Sequence, residues 1–306
     1  MEEIIPKVPR ELIINELTDD RLLRPANKGG NLIYVVDAFN APNTMREIGR
    51  LREIAFRDAG GGTGLCCDID EFDTMKPVPC RQMIVWNPEQ QEIIGGYRFI
   101  IGRDIQINDG IPHIATSHLF RFSDRFLYDF LPNTLELGRS FVVVNYQNTQ
   151  KTIPASIYAL DNLWDGLGAI VVKNPDIKYL FGKVTMYPTY DPECRDMLLG
   201  FIHKHFPDHD NLVTPIIPLN TTALSPQIQS RFNGNDYAED YRILNRFIRS
   251  KGLKIPPLVN AYMSLSPTMR MFGTAINPEF GNVEESGIFL TIDDIFEEKK
   301  SRHMSQ

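Results

Sequence analysis

Residues 81–101 read RQMIVWNPEQQEIIGGYRFII. Two apolar runs, 81–86 and 92–101, flank NPEQQ, a turn-forming stretch rich in Asn, Pro and polar side chains. The pattern predicts two antiparallel strands. Upstream, 32–37 (LIYVVD) is short, apolar and β-branched, which predicts another strand. Between them, 43–57 (NTMREIGRLREIAFR) has helical periodicity. Asn43 or Thr44 can cap it, and Met45, Ile48, Leu51, Ala55 and Phe56 form its apolar stripe.

Downstream, 124–130 predicts a short helix and 135–144 (LELGRSFVVV) a buried strand. A helix follows at 154–172 with Pro154 in its first turn, then a strand at 178–186 and a helix at 192–206. From Pro207 the punctuation changes, with Pro215, Pro218 and Pro226 marking a loop-rich stretch. A helix at 237–250 and strands at 258–263 and 287–292 complete the chain. The fold class is α/β (α+β): a central mixed, mostly antiparallel sheet flanked by helices. Consecutive strands argue against a doubly wound parallel sheet. The domain plan is a polar lead-in at 1–30, a core at 31–206 and a C-terminal extension at 207–306. The extension should pack on the core, because Phe247, Leu258, Phe272 and Phe289 need burial.

Composition narrows the function. Apolar residues make up 42% and charged residues 23% of 306, which excludes disordered and fibrous classes. The net charge of −7 gives no global basic field, so nucleic acid is not an expected partner. No run of about 18 apolar residues is present, and the acidic start MEEIIPKVPRELIINELTDD lacks the apolar core of a signal peptide. Cys66, Cys67, Cys80 and Cys194 form no CxxC pair and suit a reducing compartment. A soluble cytoplasmic protein is expected, with room for peripheral contact at the inner face of the membrane.

Four constellations could carry chemistry. Asp68, Asp70, Glu71 and Asp73 alternate with Ile69 and Phe72. In an extended segment they either orient an ammonium group or act as base, or they form a solvated acidic loop. Arg98 lies inside an apolar strand pattern and needs a partner, which the acidic cluster supplies. The result is either a structural ion pair or a substrate contact. Glu136 and Arg139 flank Gly138 at the head of a buried strand, and Gly138 suggests a bulge or a close backbone approach. Arg52 and Phe56 stand one helical turn apart, as a pocket pair or as a surface arginine beside a core aromatic.

In their order and spacing these residues resemble acyl-homoserine-lactone synthases: Arg52-x-x-x-Phe56, Asp68-x-Asp70-x-Phe72-Asp73, Gly95-x-Tyr97-Arg98 and Glu136-x-x-Arg139. The phrases GRLREIAFRDAGGGTG, ELGRSFV, LDNLWDGLGA, IPPLVNAYMSLS and INPEFGN resemble more closely the bacterial hemolysin-like group, which includes ornithine-lipid and glycine-lipid N-acyltransferases. The resemblance spans about residues 32–295 and implies a GNAT fold. It also implies transfer of a (3-hydroxy)fatty acyl group from an acyl-carrier-protein thioester to an amino acid of glycine or ornithine type, in amino-acid lipid synthesis. No permanently bound cofactor and no metal are implied; acyl carrier protein or acyl-CoA brings the donor. Asp68, Glu136 and Arg139 take catalytic places. Arg52, Phe56, Asp70, Asp73 and Arg98 line or order the substrate site. Ser140, Phe141, Val142 and Val143 would receive the thioester, their amides facing its oxyanion. Asp68 stands where the lactone synthases carry a glutamate, so its shorter side chain needs a bridging water to act as base. Tyr146, Tyr187 and Tyr190 are candidate acids for the leaving thiolate.

The stretch Tyr146–Thr152 lacks the glycines of a coenzyme A pyrophosphate loop, which favours a carrier-protein donor. Arg242, Arg246 and Arg249 share one helical face opposite Tyr241, Leu244 and Ile248, and Lys251 and Lys254 extend it. That face either docks the acidic carrier protein or anionic headgroups, or is an ordinary solvated face. Gly60–Gly64 reads as a mobile loop over the acceptor pocket, and His203, His205 and His209 fit no metal pattern. Two rival functions remain. A lactone-type signal synthase is disfavoured by the long tail. A non-enzymatic, hemolysin-like lipid binder is disfavoured by the missing leader and spanning segment.

Overall fold

The computed structural model describes residues 1–147, 154–234 and 236–304, with backbone only for 154–157. Its framework is one eight-stranded sheet. In chain order the strands are β1 Leu22–Pro25, β2 Leu32–Val36, β3 Arg81–Asn87, β4 Glu92–Ile101, β5 Thr134–Val142, β6 Tyr179–Met186, β7 Arg270–Asn277 and β8 Val283–Thr291. Across the sheet they run β1-β2-β3-β4-β5-β6-β8-β7. Only the β5–β6 pair is parallel; its neighbours on both sides are antiparallel.

The β3–β4 hairpin forms as its alternation requires. Met83 and Val85 face one side, and Ile84 and Trp86 the other. Asn87 closes the turn by accepting the Gln90 N–H at 2.7 Å. On the first side lie α4 (Pro154–Lys173), α5 (Pro192–His205), α6 (Tyr237–Ser250) and α7 (Pro257–Met263), sharing one core with Tyr97, Phe99, Leu135 and Leu137. On the second side α2 (Pro42–Asp58) buries Met45, Ile48, Leu51, Ala55 and Phe56. Beside it an aromatic cluster of Phe126, Phe181, Phe272 and Phe289 covers the β6–β8–β7 end. Phe247 and Leu258 are only partly buried.

Several sequence expectations change. Neither Asn43 nor Thr44 caps α2. Pro42 begins it, and the Glu16 carboxylate accepts the Asn43 and Thr44 N–H groups at 3.0 and 2.7 Å. The lead-in thus holds structure of its own: α1 (Arg10–Glu16) brings Glu16, and β1 adds the outer strand. Residues 258–263 are helical, because Pro257 opens a turn and Val259, Tyr262 and Met263 fall on one buried face. The tail's strands are β7, which its Gly273 at φ +93° obscures, and β8, which starts at Val283. Both extend the sheet beyond β6. Residues Phe126–Phe130 form a π-helical turn.

Candidate active site

The site arises where the parallel pair parts. β5 and β6 pair from Thr134–Tyr179 to Leu137–Gly182 and no further. β5 stays on β4 instead, held close by Gly95, where a Cβ would sit 2.5 Å from the Phe141 carbonyl. That β4–β5 ladder carries a bulge: Gly96 pairs with Phe141 and Arg98 with Gly138, so Tyr97 stands opposite both Arg139 and Ser140. Arg139 takes the strained left-handed φ of +48°. The wedge between the strands opens into a cleft of about 530 Å³, lined by Leu137, Gly138, Arg139 and Ser140 on one wall and Lys183, Thr185 and Met186 on the other. Phe56, Phe280 and Glu285 also line it, and Leu253, Lys254 and Pro256–Leu258 form part of its rim.

Behind Arg139 lies a buried ionic network. The segment 68–73 is not extended. Asp70 caps the short helix α3 (Glu71–Thr74), accepting the Phe72 and Asp73 N–H groups, while the Asp73 carboxylate accepts the Asp70 N–H. This turn leaves Glu71 exposed and aims three aspartates at three arginines. Arg52 meets Asp73 at 3.3 Å and also bonds Gln82, which donates to Asp73 at 2.8 Å. Arg98 meets Asp70 at 2.6 Å and Asp73 at 3.4 Å. Arg139 meets Asp68 at 3.0 Å and Asp70 at 3.4 Å, its guanidinium 4.7 Å from the Phe280 ring centre.

Burial works against ionising Asp70, but Arg98 and Arg139 outweigh it and hold the carboxyl below the usual range. For Asp68 and Glu136 burial prevails and raises both, against Arg139 and Arg52 for the first and Arg98 and Lys183 for the second. Arg98 is driven the other way: burial would lower it, but Asp73 and Asp70 raise it further.

Arg139, Ser140 and Phe56 reach the cleft. Arg52, Asp68, Asp70, Asp73, Arg98 and Glu136 do not line it, and all but the partly buried Asp70 are buried. Phe141 belongs to the α2-side core, and Val143 lines a separate hollow beside Lys7 and Arg10. The Val143 N–H already donates to the Ile94 carbonyl at 2.8 Å, so it is not free to serve as an oxyanion donor. Val142 offers its carbonyl to Gln147. Tyr187 and Tyr190 line the cleft, whereas Tyr146 lies 3.4 Å from Glu92 outside it. Burial raises Tyr190 to about 12, and its hydroxyl donates to the Lys254 carbonyl at 3.1 Å.

Gly60–Gly64 is fastened rather than free: the buried Glu53 carboxylate accepts from Thr63 N, Thr63 Oγ1 and Gly64 N at 3.1, 2.8 and 2.7 Å. Arg242, Arg246 and Arg249 are exposed along α6, as their spacing requires. His205 pairs with Asp240, and no metal-holding group of acidic, His or Cys side chains exists among the described residues. Of the stretch Tyr146–Thr152, residues 148–152 lie outside the described residues. No helix among the described residues is long and apolar enough to cross a membrane.

The sequence pattern did not single out Lys183, Glu285 or Tyr262, nor give Tyr97 a role. The rule that flags Arg98, a charge inside an apolar strand, applies equally to Lys183 in YLFGKVTM. The Tyr97 hydroxyl is buried beside the Ser140 and Tyr262 hydroxyls but forms no well-shaped hydrogen bond.

Parting strands, a bulge at the point of parting and a cleft between them lie within or beside residues 51–153, which match the acetyltransferase (GNAT) domain family. Two curated proteins named glycine N(alpha)-acyltransferase align along nearly the whole chain. The one from Bacteroides thetaiotaomicron is 58% identical, covering 99% of this chain and 90% of its own. The one from Phocaeicola vulgatus is 53% identical, covering 99% of this chain and 93% of its own. A CoA-dependent acyl-homoserine lactone synthase, solved with SAM and isopentyl-CoA, superposes with a TM-score of 0.30 and 12% identity over 55% of this chain and 72% of that one. The chain belongs to the family of these N-acyltransferases and is an acyltransferase.

Proposed function

We propose that the protein joins a (3-hydroxy)fatty acyl group to the amino group of glycine, drawing the acyl group from acyl carrier protein, in the synthesis of an amino-acid lipid. The observation that carries this reading is the wedge between β5 and β6, where a thioester can lie along the bulge with cations on both walls. The names of the two relatives support the acceptor. The neutral amine attacks the thioester carbonyl carbon. The C–N bond forms, the C–S bond breaks, the amine gives up one proton and the departing thiolate takes one. In this reading backbone N–H groups at the bulge receive the oxyanion, and Tyr187 or Tyr190, which line the cleft, protonates the thiolate.

The arginine face of α6 and Lys254 on the cleft rim support an acidic carrier protein as donor partner. The same face suits anionic headgroups, so peripheral attachment to the inner face of the membrane belongs to the proposal. The test is mass spectrometry of purified protein with 3-hydroxypalmitoyl carrier protein, or the matching coenzyme A thioester, and a pool of amino acids. N-acylglycine formed from the carrier-protein donor supports the reading. Product from coenzyme A alone moves the donor, and no product from either donor removes the reading.

A further inference from the structure

We propose that Lys183 is the specificity-determining residue of the acceptor site, binding the carboxylate of the incoming amino acid; this rests on the amino-acid acceptor proposed above. Three observations lead there. First, Lys183 sits one residue past the last β5–β6 pair, on the same face as Phe181 two residues earlier. Phe181 belongs to an aromatic cluster, so the strand changes from aromatic packing to a cation at the point where the cleft opens.

Second, its ion pair with Glu285 is nearly enclosed, the side chains being 10% and 4% exposed. Such a pair stabilises a fold weakly, because desolvation offsets the attraction. Glu285 is well partnered: it also accepts from Asn277 at 3.0 Å and from Thr185 at 3.3 Å. Lys183 is not. An ammonium has three N–H donors, and only Glu285 receives one among the described residues.

Third, Arg139 stands across the same cleft with Nε and Nη2 committed to Asp68 and Asp70, while its Nη1 has no partner among the described residues. The lining therefore presents Arg139, Lys183 and Lys254 against one carboxylate, Glu285. Asp68 and Asp70 balance Arg139 from behind the wall, so what the lining offers an anion is the unshared N–H donors of Lys183 and Arg139. An α-amino acid supplies a carboxylate one carbon from its amine. Bound to Lys183, the carboxylate sets the amine toward the bulge, where the thioester lies.

The experiment compares glycine with glycinamide, which keeps the amine and replaces the carboxylate by a neutral amide. Wild type should favour glycine in kcat/KM, and Lys183→Met should raise KM for glycine by roughly 10- to 100-fold, well beyond its effect on glycinamide. Because that variant leaves Glu285 without its cation, Lys183→Met/Glu285→Gln is measured beside it, and Lys183→Arg should restore part of the preference. Retained glycine preference in the double variant, or equal loss on both amines in a variant that melts like wild type, overturns the assignment. A wild-type protein that acylates neither amine refutes the acceptor class, and the role of Lys183 falls with it.

Discussion

Removing Arg98 tests whether the buried network is one electrostatic unit. The side chain is 3% exposed and bridges Asp70 at 2.6 Å and Asp73 at 3.4 Å. Taking one partner out of a buried pair costs about 3–5 kcal/mol, because the other charge remains unpaired. Here Asp73 keeps Arg52 and Gln82, and Asp70 keeps Arg139 and is a quarter exposed, which places Arg98→Met at the low end, about 3 kcal/mol. For a chain of this size that corresponds to a fall in Tm of roughly 6 °C. Two further results follow from the cause. Arg98→Met/Asp70→Asn should melt above the single variant, since one orphaned charge is gone. The gap to wild type should also close at acid pH. Asp70 titrates below its ordinary value of 3.8 in the folded protein, so its contribution is present above that pH and is lost as pH falls below it. Thermal melts between roughly pH 7 and pH 3 read all three. A single variant within a degree of wild type, or a double variant that melts lower than the single, would refute the reasoning.

Four other outcomes are expected. Arg139→Ala and Arg139→Gly should both lose acyl transfer, but the glycine variant should be more stable by about 1 kcal/mol in urea unfolding, since φ +48° strains alanine and not glycine; equal stabilities would contradict the bulge. Gly95→Ala, whose Cβ would meet the Phe141 carbonyl at 2.5 Å, should lower both Tm and turnover, while Gly138→Ala, with its nearest neighbour at 3.8 Å, should spare the steric part of that loss. Glu136 titrates above its ordinary 4.5 because it is buried, so its charging penalty appears as pH rises past that value; Glu136→Gln should gain Tm relative to wild type from about pH 4 to pH 8, and a pH-independent difference would count against it. Reversing Arg242, Arg246 and Arg249 to glutamate should raise KM at least tenfold for carrier-protein donors and leave coenzyme A donors unchanged, and an equal effect on both would remove the docking role.

Much of the fold was legible because strands buried on both faces read as continuous apolar runs, as in β3 and β4. What stayed hidden depends on distant partners. Glu16 caps a helix 26 residues later, which no local signal reveals. Residues 258–263 contain enough apolar side chains for a strand, and the surface that Val259, Tyr262 and Met263 meet, with Pro257 at the first turn, makes them a helix. In the site, the arginines and aspartates were legible as charges that must pair, but their depth was not. Whether a residue touches the cleft or supports one that does depends on α3, whose capping box turns the acidic segment away from the extended form.

The same geometry decides how the hidden residues act. Left to itself, Arg139 would leave the left-handed region, which disfavours its side chain by about 1–2 kcal/mol. Its contacts with Asp68 and Asp70 are charge-assisted and largely enclosed, and the Phe280 ring covers the guanidinium. Held from these three directions, Arg139 stands in the cleft in its left-handed conformation. Asp70 in turn is placed by α3 and by Arg98, which makes the capping box, the hairpin arginine and the bulge successive steps of one construction. A group held this way loses no freedom when it binds, so a carboxylate lost from behind the wall should appear as slower transfer rather than as a misfolded chain.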